Sequence, residues 1–342
     1  MYIIEMKRDG EWIYNGAVAM AMQVYAQNHI FLDEPILFPY MTDPFVQIGR
    51  YQNAMEEVNM DYVEANDIQM VRRDTGGGTV YLDRGEINIC FLMDSQDTNA
   101  FSNFDKMYQP VMQILREIGV DQIEKSGRND LMVDGKKVSG AAMTMKNGRV
   151  YGGYSLLFDV DMENMVNALR PNQKKIESKG IKSVRSRVGN LRDYVDPEYK
   201  DLTSEEFLEL ILVKTAGVDS YDQIKKYQLT DEDWAAIDQM MEEKYANWDW
   251  IFGASPRFEY NRNEHFKGGT FDISLAIEQG RIKDCKIYGD FFGSQPISDI
   301  ESALVGTPLR RQDLLDQLKQ FDLSQYFGTI TADEIVGLIL EQ

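Results

Sequence analysis

The sequence predicts an α+β fold: a mixed α/β main domain followed by a small α+β domain. Three observations carry this. Strand-period and helix-period stretches are interleaved along the first two thirds of the chain. Asp134-Gly135 sits between two apolar runs, a strong hairpin signal. Beyond about residue 260 the order changes to strands first and helices afterwards. A length of 342 residues suits two domains. The boundaries expected are 1–246 for the main domain, 247–260 for a linker and 261–342 for the C-terminal accessory domain.

The elements follow in order. "NGAVAMAMQVYAQNHIF" has Ala17, Met20, Val24 and Tyr25 at helical spacing. "EPILFPYM" and "FVQIGRYQN" read as short strands, "MDYVEANDI" as an amphipathic helix and "IQMVRRD" as a strand. Thr79–Tyr81 and then Ile87, Ile89 and Phe91 alternate as strands around a turn at Asp83–Gly85. "NFDKMYQPVMQILREIGV" is helical, and Pro110 inside it predicts a kink or a late start. "DLMVDGKKVSGAAMTM" is the hairpin, "GRVYGGYSLLFDVD" a strand, and "DMENMVNAL" a helix ending before Pro171. Two amphipathic helices follow near 203–216 and 230–245. "NWDWIFGASPRFEYN" then loses periodicity and is the expected linker. "TFDISLAIEQGRIKDCKIYGDFF" supplies strands, and "DLLDQLKQF" and "TADEIVGLIL" supply helices.

Composition narrows the function. The net charge is −20, which repels nucleic-acid phosphates and anionic membrane surfaces, so neither is expected as a partner. Cys90 and Cys285 are too few for a disulfide framework or a clustered metal site, which fits a reducing cytoplasm. No apolar run is long enough for a signal peptide or a membrane span.

"RRDTGGGTVY", residues 72–81, places three glycines between two arginines and a strand. Glycine reaches positive φ without steric cost and lets a ligand approach the backbone. The stretch therefore reads either as a cradle for an anion, with Arg72 and Arg73 adding a fork for phosphate or carboxylate, or as a loose turn with solvated arginines. A P-loop and a dinucleotide fingerprint are excluded, because both open a helix and these glycines run into a strand.

The same stretch resembles the Arg-Arg-x-x-Gly-Gly-Gly-x-Val signature of lipoate–protein ligases, in the biotin/lipoate ligase superfamily. "IGRYQN" (48–53), "SGRNDLMVDGKKVSGAA" (126–142) and "KGIKSVRSRVGNL" (179–191) match in the expected order. The resemblance continues through "NWDW", "FGASP" and "YGDFFG", as in a Gram-positive-like two-domain form. It implies a biotin/lipoate-ligase-like catalytic domain in which antiparallel strands form the pocket. It also implies an ATP-dependent ligase that makes lipoyl-AMP, releases pyrophosphate, and passes the lipoyl group to a lysine of an acceptor. That acceptor is expected to be a glycine-cleavage H protein or a dehydrogenase lipoyl domain. Magnesium accompanies ATP, no metal ligands are assigned, and a monomer is expected.

Strand alternation prevents Lys136 and Lys137 from entering one pocket together, and groups Lys137 with Ser139 and Ala141. The resemblance assigns the active lysine to Lys137, a fixed ammonium for the charge that develops in both steps. The resemblance further implies an ATP- and lipoyl-adenylate-binding set. From the glycine loop and its strand come Arg73, Gly76, Gly77, Gly78, Thr79, Val80, Tyr81 and Asn88. From "SGRND" come Gly127, Asn129 and Asp130, the last positioning Lys137 or a magnesium-bound water. Ser139, Gly140, Ala141, Tyr154, Lys182 and Arg185 complete the set. The basic stretch 170–192 reads as a loop closing over the adenylate, or as a docking patch for an acidic acceptor; the family match favours the loop.

Two departures stand out. Leu82 and the pair Gly153-Tyr154 occupy positions where the family commonly has histidine. His29 and His265 lie outside every motif and are expected to be structural or superficial, so no imidazole base is expected: either the acceptor lysine loses its proton to the adenylate or to water, or Tyr154 fills part of the gap. Competing readings are an ATP-independent octanoyl or lipoyl transferase acting through a cysteine thioester, and a non-catalytic binder of lipoate or its carrier.

Overall fold

The computed structural model describes residues 1–94, 103–146, 148–169, 187–252, 260–278 and 280–340. Among these, the largest sheet has eight strands. Its central part is antiparallel: Ile36–Tyr40, Glu86–Asp94, Arg149–Leu157, Lys136–Lys146, Asp130–Val133 and Glu124–Ser126 lie side by side in that order. Tyr2–Ile3 adds in parallel beside Ile36–Tyr40, and Lys225–Lys226 pairs in parallel with it at the other edge. Phe45–Ile48 pairs in parallel with Gln69–Arg72 and antiparallel with Val80–Leu82, making a second, three-stranded sheet.

Alternation along Glu86–Asp94 decides what each face of the large sheet carries. Ile87, Ile89 and Phe91 enter a core with helices Phe104–Glu117 and Ser204–Ala216. Burying one such side chain contributes about 1.5–3 kcal/mol. Glu86, Asn88 and Cys90 face the opposite side, toward a cavity. Helix Gly16–His29 packs on that side and is capped by the Asn15 side chain, which accepts from the Ala17 and Val18 amides. Burial is not confined to one face: Gly16–Gln23, Ala26 and Gln27 are all buried. Its alanines and methionines let most of its circumference be enclosed, with Val24, Tyr25 and Asn28 half-buried and His29 exposed at the end.

Pro110 neither breaks nor delays its helix, which runs from Phe104 to Glu117. Pro110 and Lys106 are exposed, so water can take the carbonyl that the missing N–H leaves free. The hairpin turn is as expected: Asp134 and Gly135 have φ of 50° and 74°, the positive pair that a two-residue turn requires.

The segment expected as a linker contains a short helix, Trp248–Phe252. Arg72 fastens it by donating to the Trp250 and Ile251 carbonyls. The following three-stranded sheet, Tyr260–Phe266, Gly269–Glu278 and Arg281–Gly289, is antiparallel. With helices Ser298–Leu304, Arg311–Leu318 and Ala332–Leu340 it encloses its own core around Phe271, Phe291 and Phe327. No helix among the described residues is long and apolar enough to cross a membrane.

Candidate active site

The glycine loop is built by the two arginines before it. Arg72 Nη1 donates to the carbonyls of Gly49 (2.8 Å) and Gln52 (2.7 Å). Arg73 Nη2 donates to the carbonyls of Gly76 (2.8 Å) and Gly78 (2.9 Å), and its Nε to Thr75 Oγ1 (3.0 Å). Both guanidinium groups are buried, and burial pushes each down to about 10, so both remain charged at neutral pH. The expected anion fork is therefore corrected: these donors are spent on backbone carbonyls. The effect on the loop is still electrostatic, because the oxygens that would repel an anion are taken up by Arg73. Gly77 has φ of 98°, and a side chain at Gly76 would place Cβ 2.1 Å from the Phe291 carbonyl of the C-terminal domain. One glycine is required by conformation and the other by close approach.

Lys137 lies one residue before a β-bulge. Leu131 pairs with Ser139 and Met132 with Lys137, so Val138 is the extra residue. The bulge reverses the expected alternation. Ser139 is fully buried with its hydroxyl 3.1 Å from Tyr108 Oη, while Lys137 Nζ lies 2.9 Å from where a Cβ of Gly140 would stand. The small neighbour that makes room for the ammonium is thus Gly140, not Ser139. Lys137 Nζ pairs with Asp130 Oδ1 at 2.9 Å. Its backbone is held from the other side: Lys137 N donates to Arg187 O (2.6 Å) and Gly189 N donates to Lys137 O (3.0 Å). Asn129 is committed as well, its Nδ2 donating to Ala141 O at 2.5 Å.

These pieces line one cavity of ≈ 760 Å³. Arg73, Gly77, Gly78, Thr79, Val80, Tyr81 and Asn88 form part of its wall, with Gly127, Asn129, Asp130, Lys137, Gly140, Ala141 and Tyr154. Gly76 and Ser139 lie outside the lining, for the reasons given. Lys182 and Arg185 lie outside the described residues. Both family departures, Leu82 and Gly153-Tyr154, are in the wall.

Sequence reasoning missed several wall residues. Glu86 is buried and shares the Asn88 face of its strand, a signal that period-two alternation held. His265, Lys267, Gly269 and Asp290 come from the C-terminal domain, and no local pattern points them at a cavity. His265 is exposed, as expected, and also lies in the cavity wall, with Nδ1 3.1 Å from Thr270 Oγ1. His29 is exposed and stacks on Tyr25, away from the cavity. Arg128 joins the domains here: it donates to the Gly268 carbonyl and, at 2.9 Å, to the Asp290 carbonyl, and lies 4.3 Å over the Phe292 ring.

Cys90 lines the apolar end with Met20, Val24 and Tyr151. A thioester route needs a thiolate, but burial pushes this thiol up to about 12. Cys90→Ser is accordingly expected to keep most of its lipoylation rate, measured by intact mass of the acceptor. Abolition of that rate would revive the thioester route.

Residues 15–216 match the lipoyl protein ligase A/B catalytic domain, and residues 255–339 match the bacterial lipoate protein ligase C-terminus. The chain belongs to the lipoate–protein ligase family, and it is a ligase. It is 55% identical to lipoate–protein ligase 2 of Staphylococcus aureus, over 99% of this chain and 100% of that one. A structure of lipoate–protein ligase A bound with ATP superposes with a TM-score of 0.59 at 26% identity, covering 75% of this chain and 100% of that one. A bi-partite lipoate protein ligase from Thermoplasma acidophilum, studied with its E2 lipoyl domain, gives a TM-score of 0.61 at 28% identity, covering 76% and 98%.

Proposed function

We propose that the cavity binds lipoate and ATP, the latter as its magnesium complex, and forms lipoyl-AMP with release of pyrophosphate before passing the acyl group to a lysine of an apo-lipoyl domain or glycine-cleavage H-type protein. The observation that carries this reading is the Lys137 ammonium, held by Asp130 and set beside Gly140 on the wall that also contains Gly77 and Gly78. A carboxylate attacking the α-phosphorus builds negative charge there, and the later amine attack builds it on the acyl oxygen. An ammonium fixed beforehand stabilises both without reorganising. The apolar end, with Met20, Val24, Leu82 and Cys90, suits an acyl tail.

ATP as substrate is supported by the relative bound with ATP, and a lipoyl-domain acceptor by the archaeal pair. No cluster of three or more metal-ligating side chains occurs among the described residues. Magnesium enters with the nucleotide, bound to its phosphates, as is usual for this ion. The reading includes residues 1–246 as the catalytic domain, 247–260 as a connection, 261–342 as the accessory domain, a monomer, and a cytoplasmic location. Lys182 and Arg185 are assigned to the adenylate phosphate on the family motif alone.

One incubation tests the function. With ATP, magnesium and lipoate, an apo-acceptor is expected to gain the mass of one lipoyl group; without ATP it gains nothing. Modification without ATP, from a lipoyl or octanoyl thioester donor supplied in place of free lipoate, would replace the ligase with a transferase, and modification of no acceptor, with no pyrophosphate released, would leave a binder.

A further inference from the structure

Glu86 is a carboxyl in the cavity wall that neither step above uses. It begins the Glu86–Asp94 strand, is 3% exposed, and shares its face with Asn88 and Cys90. The Ser155 hydroxyl of the adjacent strand hydrogen-bonds to it. Ser155 Oγ also accepts from the Gly140 amide at 3.4 Å, and Gly140 is the residue against which Lys137 Nζ rests. Glu86, Ser155, Gly140 and Lys137 thus lie close together on one wall of the cavity.

We infer that Glu86 is the base that takes a proton from the acceptor lysine during acyl transfer. The inference rests on the ligase reading above and adds a residue to its second step. The neutral amine attacks the acyl carbon of the mixed anhydride. The C–N bond forms, the bond from acyl carbon to phosphate oxygen breaks, and AMP leaves with the bonding pair. The nitrogen, now cationic, gives one proton to the Glu86 carboxylate, which later returns it to solvent. Nothing else is consumed.

The groups facing Glu86 set when it can act. Burial raises its pKa, Ser155 lowers it by donating to the carboxylate, Asp83 in the preceding turn raises it, and Lys137 from the hairpin lowers it. Tyr40 on the neighbouring strand also interacts with it. Burial dominates and pushes Glu86 up to about 8. The carboxyl is neutral below that pH and becomes a base as pH rises through it. A neutral Glu86 also leaves an incoming acyl carboxylate unrepelled.

The test uses full-length protein loaded with lipoyl-AMP and mixed with an apo-lipoyl domain between about pH 6 and about pH 9.5. The acceptor lysine, with a pKa of ~10.4, contributes one proton to the rate law throughout. Wild type is expected to show a log-rate slope near two below about 8 and near one above it. Glu86→Gln is expected to show a slope of one throughout and a rate roughly a hundredfold lower above the break. Glu86→Asp keeps a carboxyl and is expected to retain the break. The inference is overturned if wild type lacks the break, if Glu86→Gln keeps it, or if the operative ionisation lies near ~6.5 and vanishes in His265→Asn. Should Glu86→Gln not fold, the wild-type and Glu86→Asp profiles decide. Failure of the underlying ligase reading looks different: wild type would release no pyrophosphate from ATP and lipoate.

Discussion

Lys137→Ala is expected to slow adenylate formation at least ~100-fold, about 3 kcal/mol, by the measure of other preorganised charge-stabilising donors. The fold should survive. The side chains of Lys137 and Asp130 are 31% and 37% exposed, and pairs so placed contribute little to stability because water screens them. The backbone of residue 137 stays pinned by Arg187 and Gly189 through hydrogen bonds that the substitution leaves intact. Pyrophosphate release and the thermal midpoint, measured on the same preparation, check the two halves of this expectation. Normal pyrophosphate release would remove Lys137 from the chemistry. A collapsed midpoint would mean that the lysine is structural and that the loss of activity says nothing about charge.

The route to Lys137 shows what one sequence holds and what it hides. The Asp134-Gly135 turn is encoded locally, because positive φ at two adjacent residues selects for these residue types. The alternation of Ile87, Ile89 and Phe91 against Glu86, Asn88 and Cys90 is equally local, and it set the two faces of the central strand. The bulge at Val138 is different. It depends on how Lys136–Lys146 registers against Asp130–Val133, a relation between strands that no single-strand period contains. The expectation that Ser139 shares the lysine's face failed for that reason. His265 and Asp290 failed to stand out for a larger version of the same reason, since docking of a second domain brings them to the cavity. Arg72 and Arg73 show a third limit. A buried arginine saturated by carbonyls and an exposed one waiting for phosphate have the same letter, and only the fate of their donors separates them.

That distinction has its own consequence, and it is large. Arg73→Leu is expected to destabilise the protein by ~3 kcal/mol or more, since hydrogen bonds to charged groups contribute roughly 1.5–3 kcal/mol each and their loss leaves buried carbonyls unpaired. The stranded oxygens are those of Gly76 and Gly78, together with the Gln47 carbonyl that Nη1 reaches at 3.3 Å. Leucine fills part of the space but donates to none of them. Gly76 is packed against Phe291, so a loosened loop also slackens the contact between the domains. In a chain of this size the midpoint should fall by roughly 10 °C, at about 2–4 °C per kcal/mol, and ATP binding should weaken as a secondary effect. Arg73→Lys should recover only part of the loss, because one ammonium cannot span the carbonyls that a planar guanidinium bridges. An arginine that met phosphate directly would behave in the opposite way, with an unchanged midpoint and a raised KM for ATP. Thermal unfolding without ligand therefore separates a residue that shapes the cradle from one that touches what the cradle holds.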